Sequence, residues 1–410
     1  MDIYYGMPGR APFSHIALIG NALPRHCGLA TYSSDVFDAL EARYPRMRID
    51  HYAMNDPGET YPYPASVTGV IREQEFADYL AAAARIDASG AELVWVQHEF
   101  GIFGGPAGAH LLALVERLSI PVVVTLHTIL DRPDADQRSV MDRLIRASAR
   151  LVVMAEKGRE ILENVYGVPR GKIMVVPHGV PDRPYLPPDL AKPSLGLAGR
   201  NMLLTFGLLS PNKGLETMIE ALPAILLDHP DTVYIIAGAT HPHVLAHEGE
   251  RYREGLDALA ERLGVTDALR WFDAFLDQEQ LLDLIEAADL YVTPYRNLAQ
   301  ITSGALAYAV ALGKPVVSTP YAHAAEIVGP GNGILVEPGA SGAFAAAVSR
   351  LLGDDELRLG MARHAYAVGR TMLWRRTVEA SMAGFAGVKA PLLLGGRPTA
   401  DAHSQPAWAG

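Results

Sequence analysis

The stretch FGLLSPNKGLETMIEAL (residues 206–222) changes pattern twice. It leaves an apolar run at Gly207, turns through Ser210-Pro211-Asn212, and resumes with Leu215, Met218, Ile219 and Leu222 at the spacing of one helix face. A strand feeding a helix through a short polar turn is the repeating half of a parallel sheet, whose strands need helical crossovers. Lys213 and Gly214 stand where that helix begins. Free amides at a helix start, with one ammonium beside them, can hold an anion without any metal. A capped helix with a solvated lysine uses the same residues, and the segment alone leaves both readings open.

Working outward, the same alternation fills the chain. The first half predicts strands at HIALIG (15–20), ELVWVQ (92–97), PVVVTL (121–126), RLVVMA (150–155) and KIMVVP (172–177), with helices between them, one from about Thr31 to Arg43. The second half predicts MLLTFG (202–207), TVYIIAG (232–238), LYVTP (290–294), PVVST (315–319) and GILVE (333–337), then helices near 340–353 and 356–370. Between the halves, PDRPYLPPDLAKPSLGLAGRN carries five prolines by residue 193 and reads as a semi-rigid linker. The fold class is therefore α/β, with two Rossmann-like, doubly wound domains. The expected organisation is a first domain over 1–180, a linker over 181–201 and a second domain over 202–370. A C-terminal helix follows over 371–390, anchored by Trp374 and Phe385 and able to cross back to the first domain, and then a frayed tail over 391–410. Ligands of such sheets bind beyond the carboxyl ends of the strands, so two facing domains predict an interdomain cleft.

Composition narrows the function. A chain of 410 residues can bury more than one core. Its formal charge of −11 repels nucleic acid and anionic lipid at long range. No run of about 18 apolar residues suggests a membrane span, and MDIYYGMPGRAP lacks the features of a secretory signal, so a cytoplasmic chain is expected. Cys27 is the only cysteine, which excludes an internal disulfide or a cysteine-based zinc site, and a spectator thiol is the simpler reading of it. There is no G-x-G-x-x-G after the first strand, no nucleophile elbow and no Walker loop.

Candidate chemistry sits just after the strands. In AQITSGALAYAVALGKPVVSTP (299–320) a polar turn ends in Thr302-Ser303-Gly304 and opens a second helix start, while Gln300 offers an amide suited to a sugar hydroxyl. Thr302 and Ser303 can equally be plain caps, and the alternate alanines a packing surface. His98-Glu99 and His127 follow two first-domain strands, where a histidine can act on substrate or simply hydrogen-bond a loop. IGNALPRHCGLATYSSDVF puts Arg25, His26 and Gly28 between the first strand and its helix. Asp134-Ala-Asp136 imitates a metal-binding pair, but its place after Pro133 and before a helix favours an N-cap. His241, His243 and His247 read as a loop with a helix entry rather than a metal site, so no metal is expected.

Together these residues resemble the family 4 glycosyltransferases, whose two-Rossmann-domain architecture is called GT-B. The resemblance covers roughly residues 15 to 385: FGLLSPNKGLETMIEAL is similar to the family's phosphate-binding segment. AADLYVTPY, ALGKPVVSTP, AEIVGPGNGILVEPG and the Trp374 region follow the order of its second domain, and VPHGV (176–180) resembles its interdomain signature. The resemblance implies transfer of a hexose with retention from a nucleotide sugar, of the GDP-mannose or UDP-glucose type, to a sugar or glycan acceptor. It implies no cofactor and no metal, and the negative charge of the chain argues against nucleic acid as a partner. It implies that the second domain grips the donor and the first holds the acceptor. Lys213, with Asn212 beside it, would neutralise the leaving diphosphate, and amides around Ile301, Thr302, Ser303 and Gly304 would bind its oxygens. His127 would lie near the donor sugar and the reacting phosphate, with Gly28 approaching that phosphate from the other side. Arg25, His98, Glu99 and the Gly-rich GIFGGPAG (101–108) would read the acceptor.

The chain also departs from the family. The family carries Glu-x7-Glu on the second donor helix, the first for the sugar and the second for the ribose; here Gln300 and Tyr308 hold those positions. Leu208 stands where an arginine is usual, and Arg25 or Arg296 are the neighbours that could compensate. A retaining phosphorylase acting on a sugar 1-phosphate would need neither a second glutamate nor as many cations. A non-catalytic sugar- or nucleotide-binding protein of the same fold is the third reading.

Overall fold

Apolar runs with no exposed face become fully covered parallel strands, and they do so twice along the chain. The computed structural model describes residues 11–272 and 276–389, the side chains of Pro242 and His243 excepted. The tail expected over 391–410 lies outside the described residues. The chain divides into two units. One takes the residues up to Val152, Ile161–Met174 and those from Met382 on; the other takes Val153–Glu160 and Val175–Ser381.

The first sheet has β1 (His15–Gly20), β2 (Arg48–Asn55), β3 (Val67–Arg72), β4 (Leu93–His98), β5 (Val122–Leu126), β6 (Arg150–Val153) and β7 (Ile173–Val175). They lie in the order β3-β2-β1-β4-β5-β6-β7. Every residue of β1, β4 and β5 is buried, as their unbroken apolar text requires. From β1 the chain first builds towards β2 and β3, then returns to place β4 on the other side, so the topology reverses between β1 and β4.

Two strands of this sheet were not expected. RIDHYAMN hides its strand behind Asp50 and His51, which are buried: Asp50 Oδ2 lies 2.9 Å from His15 Nε2, and His51 stacks on Phe37. VTGVIR is an edge strand with alternating exposure, and Gly69 is there because a Cβ would meet the Tyr52 ring at 2.7 Å.

The second sheet has β8 (Asn201–Phe206), β9 (Thr232–Ala237), β10 (Leu269–Phe272), β11 (Leu290–Thr293), β12 (Val316–Ser318) and β13 (Gly333–Leu335), in the order β10-β9-β8-β11-β12-β13. The reversal falls between β8 and β11. The helix Leu215–Asp228 buries the face formed by Leu215, Met218, Ile219, Leu222 and Ile225, the periodicity read from the sequence. Edge strand β10 escaped that reading because Arg270 interrupts a four-residue run.

The Pro-rich stretch 181–201 behaves differently from a linker. It carries a short helix, Pro188–Ala191, and a 3₁₀ turn, Lys192–Leu195, within the second unit. Ala191 and Leu197 are buried in the core there, with Leu186 and Leu195 packed against it. The prolines set the turns while the apolar residues between them find a core, and only the prolines were legible as a signal. Lys192 completes the anchoring: its ammonium, 3% exposed as a residue, lies 2.9 Å from Asp189 and from buried Asp289, whose carboxylate also accepts from Met202 N at 2.7 Å. Nearby, fully buried Lys314 donates to the Glu286 carbonyl at 2.7 Å. The last helix, Trp374–Phe385, is bounded by its two expected anchors. In the first unit Phe385 meets Trp95 edge-on, and in the second Trp374 covers Gly179, where a Cβ would strike the indole at 1.9 Å.

Two stability predictions follow from the buried charges. Lys192→Met leaves the Asp289 carboxylate without its ammonium and should destabilise the protein by roughly 3–5 kcal/mol. Adding Asp289→Asn should recover a large part of that loss in a denaturant-melt double-mutant cycle; additive losses would show that the pair is not coupled. Burial pushes the Lys314 ammonium from the ordinary 10.5 down to about 7. Below about pH 7 folded and unfolded chains both hold this proton, and between that value and the unfolded pKa the unfolded chain holds more. The Lys314 contribution to stability should therefore rise from pH 7 towards 10, and Lys314→Met should abolish that part of the slope.

Candidate functional site

In the second unit, the loops after β8, β9, β11 and β12 converge. Gly207 follows β8 at φ 115°, a backbone that favours glycine. Its carbonyl lies 2.3 Å from where a Cβ on Gly238, after β9, would stand, so the strand ends approach closer than side chains permit. Pro211–Lys213 form one 3₁₀ turn, Gly214 takes φ 60°, and the helix Leu215–Asp228 begins. A Cβ on Gly214 would strike the Pro294 carbonyl at 2.3 Å, and Asn212 accepts from Arg296 N at 2.9 Å. The Lys213 turn is thereby pressed onto the loop that follows β11.

Lys213 is held without being neutralised. Its Nζ donates to the Tyr295 hydroxyl at 2.7 Å and stands 4.1 Å from that ring's centroid. Tyr295 is buried and stacks on Tyr321, centroids 5.0 Å apart and planes 20° from parallel. A phenol oxygen and a π-face attract an ammonium while leaving its charge available to an anion.

The loop 300–304 is built by mutual hydrogen bonds. Gln300 Nε2 donates to the Thr302 carbonyl at 3.0 Å, and the Gln300 carbonyl accepts from His323 N at 3.2 Å. Ser303 caps the helix Gly304–Ala311, its hydroxyl accepting from Leu306 N at 3.2 Å. The Ser303 amide itself donates to His323 Nδ1 at 2.9 Å. Of the helix-start donors this leaves the amides of Gly304 and Ala305 beyond the reach of intrahelical acceptors. Ile301 is buried, and Thr302 is half-buried beside it.

Two imidazoles flank this start. Burial and the neighbouring His178 hold the His323 ring down, to about 3, so it is neutral and can accept the Ser303 proton. Desolvation likewise lowers His178 to about 4, against the Gly179 carbonyl bond that favours its protonated form. His178 Nε2 lies 2.8 Å from where a Cβ on Gly304 would be, so the glycine is what admits it. Tyr308, 6% exposed, meets the His178 ring edge-on within the second core.

The first unit contributes a separate set. His127, after β5, donates its backbone N–H to the His98 carbonyl, and its Nε2 lies 3.1 Å from Gln97 Oε1. The Tyr32 ring meets the imidazole edge-on at 4.6 Å. Glu99 accepts from Phe100 N and from the Thr128 hydroxyl, tying the ends of β4 and β5 together. Burial raises its pKa, and those two bonds oppose the rise.

His98 differs from its expected place on the acceptor side. It is fully buried between Phe100 and Phe103, and burial lowers its pKa to about 4, so it is a neutral core side chain. Arg25 also differs from its suggested use as a spare cation for the position of Leu208. It is already bound by Asp56, from the loop after the unexpected β2, and by Asn21 Oδ1 at 2.8 Å. Arg296 is exposed and 3.7 Å from Glu216. Gly28 opens the helix Gly28–Arg43, and a Cβ there would meet nothing within 4 Å. Cys27 caps that helix through its sulfur. The GIFGGPAG loop is packed: Gly104 N donates to Tyr79 Oη at 2.9 Å, and a Cβ on Gly104 would strike the Glu73 carbonyl.

Lys213, Asn212 and residues 300–308 thus share one unit, while Arg25, Gly28, His98, Glu99 and His127 share the other. Asp134 caps the helix Ala135–Ala147 through a full capping box with Gln137, the bland reading of its Asp-x-Asp text. Residues 242–248 form a helix; the His243 side chain lies outside the described ones. Sequence reasoning missed His178, His323, Tyr295, Tyr321 and Gln97. All lie at or just beyond the carboxyl ends of strands, where their types alone gave no reason to prefer them over neighbours.

Comparisons with known proteins agree with this architecture. The model of Glycosyltransferase Family 4 matches residues 36–183, and that of Glycosyl transferases group 1 matches 189–368. D-inositol 3-phosphate glycosyltransferase from Actinosynnema mirum is 29% identical over 66% of this chain and 67% of its own. The enzyme of that name from Nocardia farcinica is 28% identical over 72% and 68%. Among solved structures, sucrose-phosphate synthase from Thermosynechococcus elongatus superposes with a TM-score of 0.70 at 18% identity, covering 90% of this chain and 97% of that one. Anabaena HepE in complex with UDP-glucose gives 0.68 at 18%, covering 90% and 98%. No helix among the described residues is long and apolar enough to cross a membrane. With two parallel sheets of reversed topology and two glycosyltransferase models matching in succession from residue 36 to residue 368, the chain belongs to the family 4-like glycosyltransferases of the GT-B fold.

Proposed function

We propose that the chain transfers a hexose, with retention and without a metal, from a nucleotide sugar to a hydroxyl of a sugar-like acceptor. The observation that carries this reading is the Lys213 ammonium, held on Tyr295, whose ring stacks on Tyr321, two residues before the His323 that binds Ser303 at the start of the helix Gly304–Ala311. When a glycosyl diphosphate reacts, the bond from the anomeric carbon to the phosphate oxygen breaks and the oxygen keeps the electron pair. Negative charge grows on the diphosphate while the sugar becomes an oxocarbenium ion. Groups that are already oriented stabilise that charge most, because they do not reorganise as it forms. Lys213 supplies the cation and the amides of Gly304 and Ala305 supply dipoles, while for His127, in the other unit, the family resemblance implies a hydrogen bond to the donor sugar. Relatives named for D-inositol 3-phosphate support a polyol or sugar-phosphate acceptor, and the Anabaena complex supports a uridine or related nucleotide donor.

A phosphorylase reading is favoured by one observation. Tyr308, at the position the resemblance assigns to ribose recognition, is buried against His178, which suits a donor that has no ribose.

Lys213→Ala should lower kcat/KM by about 100-fold or more in a panel of UDP- and GDP-sugars, with Lys213→Arg recovering only part. Unchanged transfer would remove the proposed mechanism. His127→Ala should lower kcat while the Kd for nucleoside diphosphate, measured by calorimetry, stays within about threefold. Glycan breakdown assayed with and without inorganic phosphate decides the rival: release of a sugar 1-phosphate only when phosphate is present would place the phosphorylase first.

A further inference from the structure

The segment Tyr321–His323, just beyond β12, packs along the loop after β11, from Tyr295, which holds Lys213, to Ser303 at the helix start, and nothing in the sequence singled it out. Its first residue is fully buried and stacks on Tyr295, the residue that holds Lys213 Nζ at 2.7 Å. The second donates its backbone amide to the Leu298 carbonyl at 3.0 Å. The third makes two bonds to the loop: His323 N to the Gln300 carbonyl at 3.2 Å, and Nδ1 from the Ser303 amide at 2.9 Å. His323 is 2% exposed and Ser303 4%, so the imidazole–amide bond is sheltered from water, where a lost partner is not replaced.

We propose that Tyr321–His323 is a positioning strap that fixes the spacing between the Lys213 ammonium and the helix start at Gly304, and that His323 decides which amides of that start meet a phosphate. By accepting the hydrogen bond of the Ser303 N–H, His323 withdraws this amide from the cradle and leaves those of Gly304 and Ala305 to the anion. The choice depends on an acceptor at the Nδ1 position. A neutral imidazole provides one; an aliphatic side chain does not. An asparagine carbonyl occupies nearly the same place relative to the backbone and can accept the same bond. The inference rests on the proposed use of this site for a nucleotide sugar, but its structural half can be read without any ligand.

The test compares His323→Leu and His323→Asn in the full chain. Hydrogen exchange in the ligand-free protein reads the strap itself: Leu should speed exchange over residues 300–305 by about tenfold or more, and Asn should hold it near wild type. Calorimetry with UDP and with GDP reads the cradle: Leu should weaken binding about tenfold, with Asn recovering to within about threefold. A KM effect larger than the kcat effect should accompany it with the nucleotide sugar that proves to be the donor. Unchanged exchange in the Leu variant would overturn the strap. Altered exchange with unaltered UDP and GDP affinity would overturn the assignment of amides. A wild-type chain that binds neither nucleotide would overturn the proposed function and the cradle's use with it, and the exchange result would still stand or fall by itself.

Discussion

A parallel strand covered by helices on both faces of its sheet has only its ends left for chemistry, and each unit of this protein obeys that constraint. Burial along β1, β4, β5, β8, β9 and β11 is nearly complete, so polar groups inside the strands must be satisfied by neighbours. Trp95 Nε1 on the Thr125 hydroxyl and Thr293 on Ser318 are such pairs. The candidate site residues accordingly sit one to seven residues beyond a strand: His127 directly after β5, Lys213 after β8, Tyr295 after β11 and Tyr321 after β12. Glycine at 207, 214 and 238 then lets these loops close on one another. The site is thus a consequence of where the sheet ceases to be able to hide polarity.

That constraint also sets what could be read in advance. Strands with unbroken apolar text, such as HIALIG and TVYIIA, were legible to within a residue because full burial leaves a pattern. RIDHYAMN was not, since its Asp50 pairs with His15 and its His51 is buried against Phe37, neighbours that only the fold brings near. The stretch 181–201 misled for the opposite reason: proline announces a turn whether or not the residues between the turns are packed. Site residues divide in the same way. Lys213 stood out because a cation at a helix start has a local physical meaning. His323 did not, because its role is a contact with Ser303, twenty residues earlier, and no spacing rule links the two.

Histidine shows how far context decides chemistry here. His98, His178 and His323 have pKa values pushed to about 4 or lower, in each case chiefly by desolvation. As neutral rings they serve as an aromatic core residue, a partner for Tyr308 and Gly304, and an amide acceptor. The expectation that a histidine beyond a strand acts on substrate failed for His98 because two phenylalanines took the space a ligand would need.

The departures from the family pattern can be weighed together on the same physical scale. Leu208, Gln300 and Tyr308 stand where the resemblance implies charged groups, and the two imidazoles beside the helix start are neutral. Charges act over several ångströms and tolerate small errors in placement, because Coulomb energy falls slowly with distance. Amide dipoles do not: their hydrogen bonds weaken steeply once distance or angle is lost. A site that exchanges charges for dipoles therefore shifts its dependence from the number of its ions to the rigidity of its loops. In the second unit that rigidity is supplied by the Tyr295–Tyr321 stack, the bond from Ser303 to His323 and the glycine contacts that seat the Lys213 turn on the Pro294 carbonyl. Packing, rather than an added charge, is what holds these loops in place.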